Sequence, residues 1–367
     1  MQIASFAVAL LLACMTAPAT AATPAGEEYA ARARAAGIEL PAPAPGRTVG
    51  EGPFDRLVIR DVMLVDGEGA PPRGPVHIVV ANERIERIVP ASRSVELTDA
   101  RVIEGEGMYA LPGFVDAHAH HGTPFQGLAG RLTPPAYIFR LWLAHGITTV
   151  RDPGSTMGLA WTVEHAERAA AGEIAAPRIV PYAMFPGATI TSGDAARNWV
   201  RAVRRRGAKG VKLRGGTRAA LVAVYEETAR LGLGTANHHD QTAVYQVNAL
   251  DSARLGLDSL EHWYGLPEAL FTDRTIQAYP LDYNYADEQD RFGEAGRLWL
   301  QAAGPGSARW NAVRDELIEL DLTLVPTFTI YEANRDVARA RDAEWHEDYT
   351  WPALRRFFMP DPRLHGS

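Results

Sequence analysis

The sequence predicts an α/β fold, an incomplete TIM-type (β/α)8 barrel behind a small N-terminal β unit, on three observations. Short apolar runs alternate with loops and helical stretches from Phe114 onward, seven such runs can be counted, and closely spaced β-type runs precede them. The seven are Phe114–Ala117, Thr148–Val150, Ile179–Tyr182, Gly210–Leu213, Gly234–Asn237, Ser259–Glu261 and Leu322–Phe328. Helical stretches at Ala195–Arg206 and Arg218–Leu231 lie between some of them. Such alternation favours a parallel sheet, and seven strands leave a barrel one short.

The earlier runs, Leu57–Ile59, Val62–Val65, Val76–Val80 and Ile85–Val89, are separated by Asp-Gly, Pro-Pro and Asn-Glu breaks and read as a small antiparallel unit. Residues 22–50 are rich in Ala, Pro and Gly, with Pro41, Pro43 and Pro45 spaced by single residues. They are expected to form a linker or loosely docked arm with little core. The organisation expected is therefore a leader at 1–21, a linker at 22–50, the β unit at 51–110 and the barrel at 111–367.

The 37 Lys and Arg against 44 Asp and Glu give a net charge of −7, which argues against a nucleic-acid-binding surface. At 47% hydrophobic residues, the chain of 367 residues can bury a large core. Ile3–Met15 is too short to span a bilayer but has the length of a signal-peptide core, and Ala19-Thr20-Ala21 offers a cleavage site before Ala22. Export to the periplasm or medium is expected, although the segment lacks a basic start. The single cysteine, Cys14, falls inside this leader, where Leu11-Leu12-Ala13-Cys14 loosely resembles a lipoprotein box. The mature chain is then expected to have no disulfides. No transmembrane segment is predicted, and a homo-oligomer is left open.

His118 and His120 stand two apart at the end of an apparent strand, so their side chains emerge on one face, as two ligands of one metal must. Barrel enzymes place active sites at that end of the strands. His121 is expected to point away. Asp116 shares the parity of His118 and either orients a ligand histidine or satisfies backbone donors.

Leu111-Pro112-Gly113-Phe114-Val115-Asp116-Ala117-His118-Ala119-His120, following a small β unit, resembles the metal-dependent amidohydrolase superfamily, with the imidazolonepropionase-like branch nearest. The resemblance runs from about Leu57 to about Phe328. It implies a (β/α)8 barrel with an attached β-sandwich, of which 51–110 would be a portion, and one or two divalent, Zn2+-like ions at the barrel mouth. Gly210-Val211-Lys212-Leu213-Arg214-Gly215-Gly216 looks like the fourth barrel strand, whose lysine carries a metal-bridging carbamate, and Lys212 is the candidate. Burial would lower its pKa and give the neutral amine that carboxylation requires. Ala236-Asn237-His238-His239-Asp240-Gln241 resembles the fifth-strand motif and selects His238 as ligand with Asp240 as its neighbour, unless a one-residue bulge selects His239 instead. Leu257-Asp258-Ser259-Leu260-Glu261-His262 resembles the sixth strand and adds His262, while Glu261 is expected to point elsewhere in a structural role.

The implied metal ligands are thus His118, His120, Lys212, His238 and His262, and Lys212 and His262 are the implied catalytic residues. The implied reaction is hydrolysis of a small-molecule amide or cyclic amide, dipeptides included, by metal-activated water. Tyr264, Tyr283 and Tyr285 could reach substrate from a loop but are more often packing residues. His145 at a helix end, His165 in a helix and His77 on a strand are expected to be structural, and His346 and His365 fall in an irregular tail. The family's eighth-strand aspartate has no counterpart after Leu324–Thr329, since Asp336, Asp342, Asp348 and Asp361 do not sit in apolar strands. A truncated chain is therefore expected, with a catalytically inactive metal-binding remnant as the alternative to an active hydrolase.

Overall fold

The computed structural model describes residues 31, 34–37, 42–47, 51–124, 126, 132–285 and 287–359. The expected leader with Cys14 lies outside the described residues, as do Asp361 and His365. Among the described residues no helix is long and apolar enough to cross a membrane.

The N-terminal unit holds β1 (Arg56–Leu64), β2 (Arg73–Ala81), β3 (Arg84–Pro90), β4 (Arg101–Glu104) and β5 (Tyr109–Ala110). They make one sheet in the order β3-β2-β1-β4, with β5 also on β1. The first three strands pair antiparallel, whereas β4 and β5 join β1 in parallel. The unit is therefore mixed, because the connection 91–100 crosses back before β4 begins. A single sheet is formed by the described residues, so the attached sandwich is not seen among them. Within β1, Asp61 takes φ 56° at a register shift, and its N–H donates to Nδ1 of the buried His77 at 3.2 Å. A bulge leaves a backbone donor without a ladder partner, and this histidine supplies the acceptor.

The second sheet contains β6 (Phe114–Asp116), β7 (Ile147–Pro153), β8 (Arg178–Met184), β9 (Gly210–Leu213), β10 (Gly234–Asn237), β11 (Ser259–Glu261) and β12 (Thr323–Val325). All seven run parallel in sequential order. The sheet curls: Arg151 on β7 donates to Ser259 Oγ at 2.8 Å and to Glu261 Oε1 at 2.6 Å, both on β11. The result is an incomplete TIM-type barrel.

Outside the sheet lie α1 (Pro135–Ala144), α2 (Leu159–Ala170), α3 (Gly193–Arg205), α4 (Arg218–Leu231) and α5 (Ala249–Arg254). Ser192 and Thr217 cap α3 and α4 by accepting the N–H groups of Ala195 and Ala220, and Gly232 ends α4 in the left-handed region. On β9, Val211 and Leu213 are fully buried in one core cluster with Trp199 and Val203 of α3 and Leu221 and Val224 of α4. Strand alternation then turns Lys212 toward the barrel interior. That interior is crossed by Tyr182. A Cβ at Gly210 would lie 2.3 Å from its ring, and one at Gly234 2.1 Å from its hydroxyl, so both positions require glycine.

The last strand is shorter than its apolar run. Pro326 has no N–H for a ladder and Thr327 takes φ 52°, so the chain leaves the sheet after Val325 and a helix begins at Phe328. The segment expected to be irregular forms short helices at Phe328–Arg335, Val337–Arg341, Trp345–Tyr349 and Pro352–Phe357. The proline-rich arm is also better packed than expected. Ala44 is buried in a cluster with Phe139, Ile174 and Ile179, and its N–H donates to His165 Nε2 at 3.1 Å.

Candidate metal centre

His118 and His120 follow β6, where the His118 N–H donates to Asp116 Oδ1 at 3.0 Å, so Asp116 satisfies a backbone donor. The His118 ring centroid lies 5.4 Å from that of His120 and 4.9 Å from that of His262. His238 and His262 are 4.7 Å apart. Four imidazoles from the ends of β6, β10 and β11 thus meet at the C-terminal mouth of the sheet.

The strand geometry explains which histidines arrive. Asn237 faces outward, donating to Tyr225 on α4 at 3.0 Å, so His238 turns inward. His239 turns out again and meets Ser252 on α5 at 2.8 Å. No bulge reverses that order. On β11, Ser259 and Glu261 share a side, which would send His262 away; instead His262 takes φ 63°, rotating its ring back over the mouth.

Glu261 corrects the sequence reading. It is fully buried and does not point elsewhere: one carboxylate oxygen meets His118 Nδ1, and the other accepts from Arg151 at 2.6 Å and Ser259 at 2.7 Å. Burial pushes its pKa up, but the bond from His118 and the positive charge of Lys212 and Arg151 hold it at about 2. His120 Nδ1 meets Asp152 Oδ1 at 2.9 Å, and His262 Nδ1 meets Thr327 Oγ1 at 2.6 Å. Asp152 and Arg151 were not singled out in the sequence. Their signal was a charged pair ending an apolar strand, Thr149-Val150-Arg151-Asp152. His121 turns from the mouth into a buried aromatic layer with Phe139 and Trp161; its Nδ1 approaches Asp152 Oδ2 to 2.8 Å without the alignment of a hydrogen bond.

The electrostatics favour neutral donors. Burial lowers the pKa of His118 to about 4 and that of His262 to about 3, and drives that of His238 well below the ordinary imidazole range. Lys212 is buried, its Nζ has no hydrogen-bond partner, and burial lowers its pKa to about 7 despite the nearby Glu261 carboxylate.

Among the described residues no group of three or more His, Cys, Asp or Glu stands ready as a metal cage; the imidazoles approach in pairs. The donor set nonetheless fits a divalent cation. In His118, His120 and His262 the Nδ1 atom is engaged by Glu261, Asp152 and Thr327, leaving Nε2 for coordination, and neutral imidazole is the coordinating form. An orphaned amine beneath them suits a bridging group. Tyr264 packs on His238 at 4.7 Å, and Tyr285 donates to Asp240 Oδ1 at 3.1 Å, while Tyr283 stacks on Tyr279. Remaining histidines are structural: His145 caps α1 by donating to the Leu141 carbonyl, and His165 is buried.

No protein-family model matches the chain. It is 38% identical over 69 residues to a dihydroorotase of Caldanaerobacter subterraneus subsp. tengcongensis, a match covering 19% of this chain and 15% of that protein. It is 35% identical over 96 residues to an adenine deaminase of Nitratidesulfovibrio vulgaris, covering 22% of this chain and 16% of the relative. Both matches therefore span less than a fifth of those relatives. A crystal structure of a Xaa-Pro dipeptidase with bound methionine superposes with TM-score 0.53 at 17% identity, covering 82% of this chain and 72% of that one. The likeness is local in sequence to the first two proteins and extends over the fold for the third.

Proposed function

We propose that the protein is a metal-dependent hydrolase of small-molecule amide bonds, cyclic amides and dipeptides included, of the imidazolonepropionase-like branch. The observation that carries this reading is the meeting of His118, His120, His238 and His262 above the buried amine of Lys212. His118, His120, His238 and His262 would hold one or two Zn2+-like ions, with Lys212 as the bridge. When bound, such an ion polarises a carbonyl and lowers the pKa of water from about 15.7 toward about 7.

The chain's own residues do the rest. Near neutral pH much of Lys212 is the free amine, which can add carbon dioxide with loss of a proton to become a carbamate. Glu261 and Asp152 fix the ring orientations of His118 and His120, and Arg151 fixes Glu261 while also donating to the Ala117 carbonyl at 2.6 Å. Arg151 thus ties the His118 loop, β7 and β11 into one frame. Export is the proposed location, carried by the Ile3–Met15 run.

The test is hydrolysis of a panel of N-acyl amino acids, dipeptides and cyclic amides by protein reconstituted with Zn2+ and bicarbonate. Turnover of at least one class, abolished by a chelator and restored by metal, is expected. Cleavage that persists after chelation would contradict the reading.

A further inference from the structure

Segment 91–100, which carries the chain from β3 back to β4, frames a cavity of about 270 Å³ on the N-terminal sheet, built from residues that take no part in the histidine cluster. The segment is pinned where it leaves β3: the Ala91 N–H donates to the Pro75 carbonyl and the Arg93 N–H to the Pro90 carbonyl, both at 3.0 Å. From the sheet side the cavity is lined by His77 of β2. Val76 and Ile78 belong to the core cluster on one face of the sheet, so strand alternation puts His77 on the other. His77 is only 3% exposed, and its Nδ1 accepts the Asp61 N–H at the β1 bulge. A neutral imidazole that accepts at Nδ1 carries its hydrogen on Nε2. Among the described residues that second nitrogen is neither hydrogen-bonded nor sealed from solvent, which leaves a buried ring with one donor open to the cavity.

The other polar side chains lining the cavity, Arg60, Ser92, Arg93 and Ser94, are donors as well, and no Asp or Glu lines it. Arg60 is matched by Glu104 at 3.0 Å and Asp61 at 3.8 Å, so its charge is already balanced. Arg93 meets no carboxylate among the described residues, and the Ser92 and Ser94 hydroxyls have no partner there either. Glu96, the next carboxylate along the segment, is taken up by the Thr98 N–H and hydroxyl. One uncompensated guanidinium, two hydroxyls and a fixed ring N–H thus face one space. A carboxylate offers two acceptor oxygens in a plane, whereas a phosphate offers three in different directions, which suits donors arriving from both a strand and a loop. Val95 and Leu97 add an apolar side, and the volume approaches the lower end of small-molecule sites, about 300 Å³.

We propose that this cavity binds a phosphate group, carried by inorganic phosphate or by a small phosphate monoester, with Arg93 supplying the charge and His77 Nε2, Ser92 and Ser94 the remaining hydrogen bonds. The site stands independently of the amide-hydrolase reading.

The test is calorimetric titration of the metal-free full chain with inorganic phosphate and with phenyl phosphate, in wild type and in Arg93→Met, Ser94→Ala and Arg84→Met. All three positions are exposed, and Arg84 on β3 lies outside the cavity, so it controls for general charge attraction. One saturable phosphate site per wild-type chain is expected. Its affinity should fall about tenfold in Arg93→Met, the scale of one charge-assisted contact, fall about threefold in Ser94→Ala, and stay unchanged in Arg84→Met. Tighter binding of phenyl phosphate supports the site with a monoester as its ligand, seated against Val95 and Leu97; equal or weaker binding supports it with free phosphate. Absence of saturable binding overturns the proposal. So does affinity unmoved in Arg93→Met, the result expected if phosphate were captured at the barrel mouth, or an equal loss in Arg84→Met.

Discussion

Lys212 is the residue on which most of the proposed site chemistry converges: an amine with no hydrogen-bond partner, buried on a strand whose flanking residues face the core. Lys212→Ala should lose amide hydrolysis and regain part of it with formate, acetate or propionate, whose carboxylate can replace a carbamate; full activity without added acid would remove Lys212 from the site. His165 supplies a test by pH. Burial lowers its pKa from 6.5 to about 4, and the neutral ring accepts the Ala44 N–H at Nε2. Its contribution to stability is therefore complete above about pH 6.5 and is lost as pH falls toward about 4, since the unfolded chain binds the proton first. Denaturant unfolding at about pH 7 and pH 5 should show His165→Gln losing less stability between them than wild type; equal losses would show that the buried ring does not titrate as described. The His118 and His120 pair was legible because the His-Ala-His motif is local in sequence, although both residues follow the end of β6. Glu261 was not, since its approach to His118 depends on the curl of the sheet, and the positive φ of His262 lets two consecutive residues face the mouth against strand alternation.

Among elements, the barrel strands were the most legible, because apolar runs between glycine and proline breaks mark them directly; β9, β10 and β11 coincide with their runs. The end of β12 was misread, since Phe328 continues the apolar run, yet Pro326 and the left-handed Thr327 have already broken the ladder. Thr327 has a second consequence, as its hydroxyl holds His262. Glycines inside strands carry packing information that composition hides. Gly234→Ala should destabilise the protein by about 1–3 kcal/mol in denaturant unfolding, because Tyr182 must move to admit a methyl group. Thr217→Ala, which removes the α4 cap, should cost about 1 kcal/mol and leave the site geometry in place. A Gly234→Ala protein as stable as wild type would show that Tyr182 does not fill the interior.

At the scale of the whole molecule, the curled sheet brings β6 and β11 together through His118 and Glu261, so the site exists only once distant strands have paired. β6 and β12 form the edges of the sheet among the described residues, and Val115 and Leu324 are 66% and 52% exposed there. Apolar edges invite pairing between chains. Val115→Lys and Leu324→Lys should reduce light scattering in concentrated solution, and unchanged scattering would mean that these edges do not drive association. The mixed pairing of β4 and β5 could not be read from local pattern, because parallel and antiparallel neighbours share the same alternation. The most direct test of the proposed metal centre is metal content, measured by mass spectrometry on protein purified with Zn2+ present. One or two divalent ions per wild-type chain, with marked loss in both His118→Ala and His262→Ala, is the predicted result. Metal content unchanged in both variants would contradict the account.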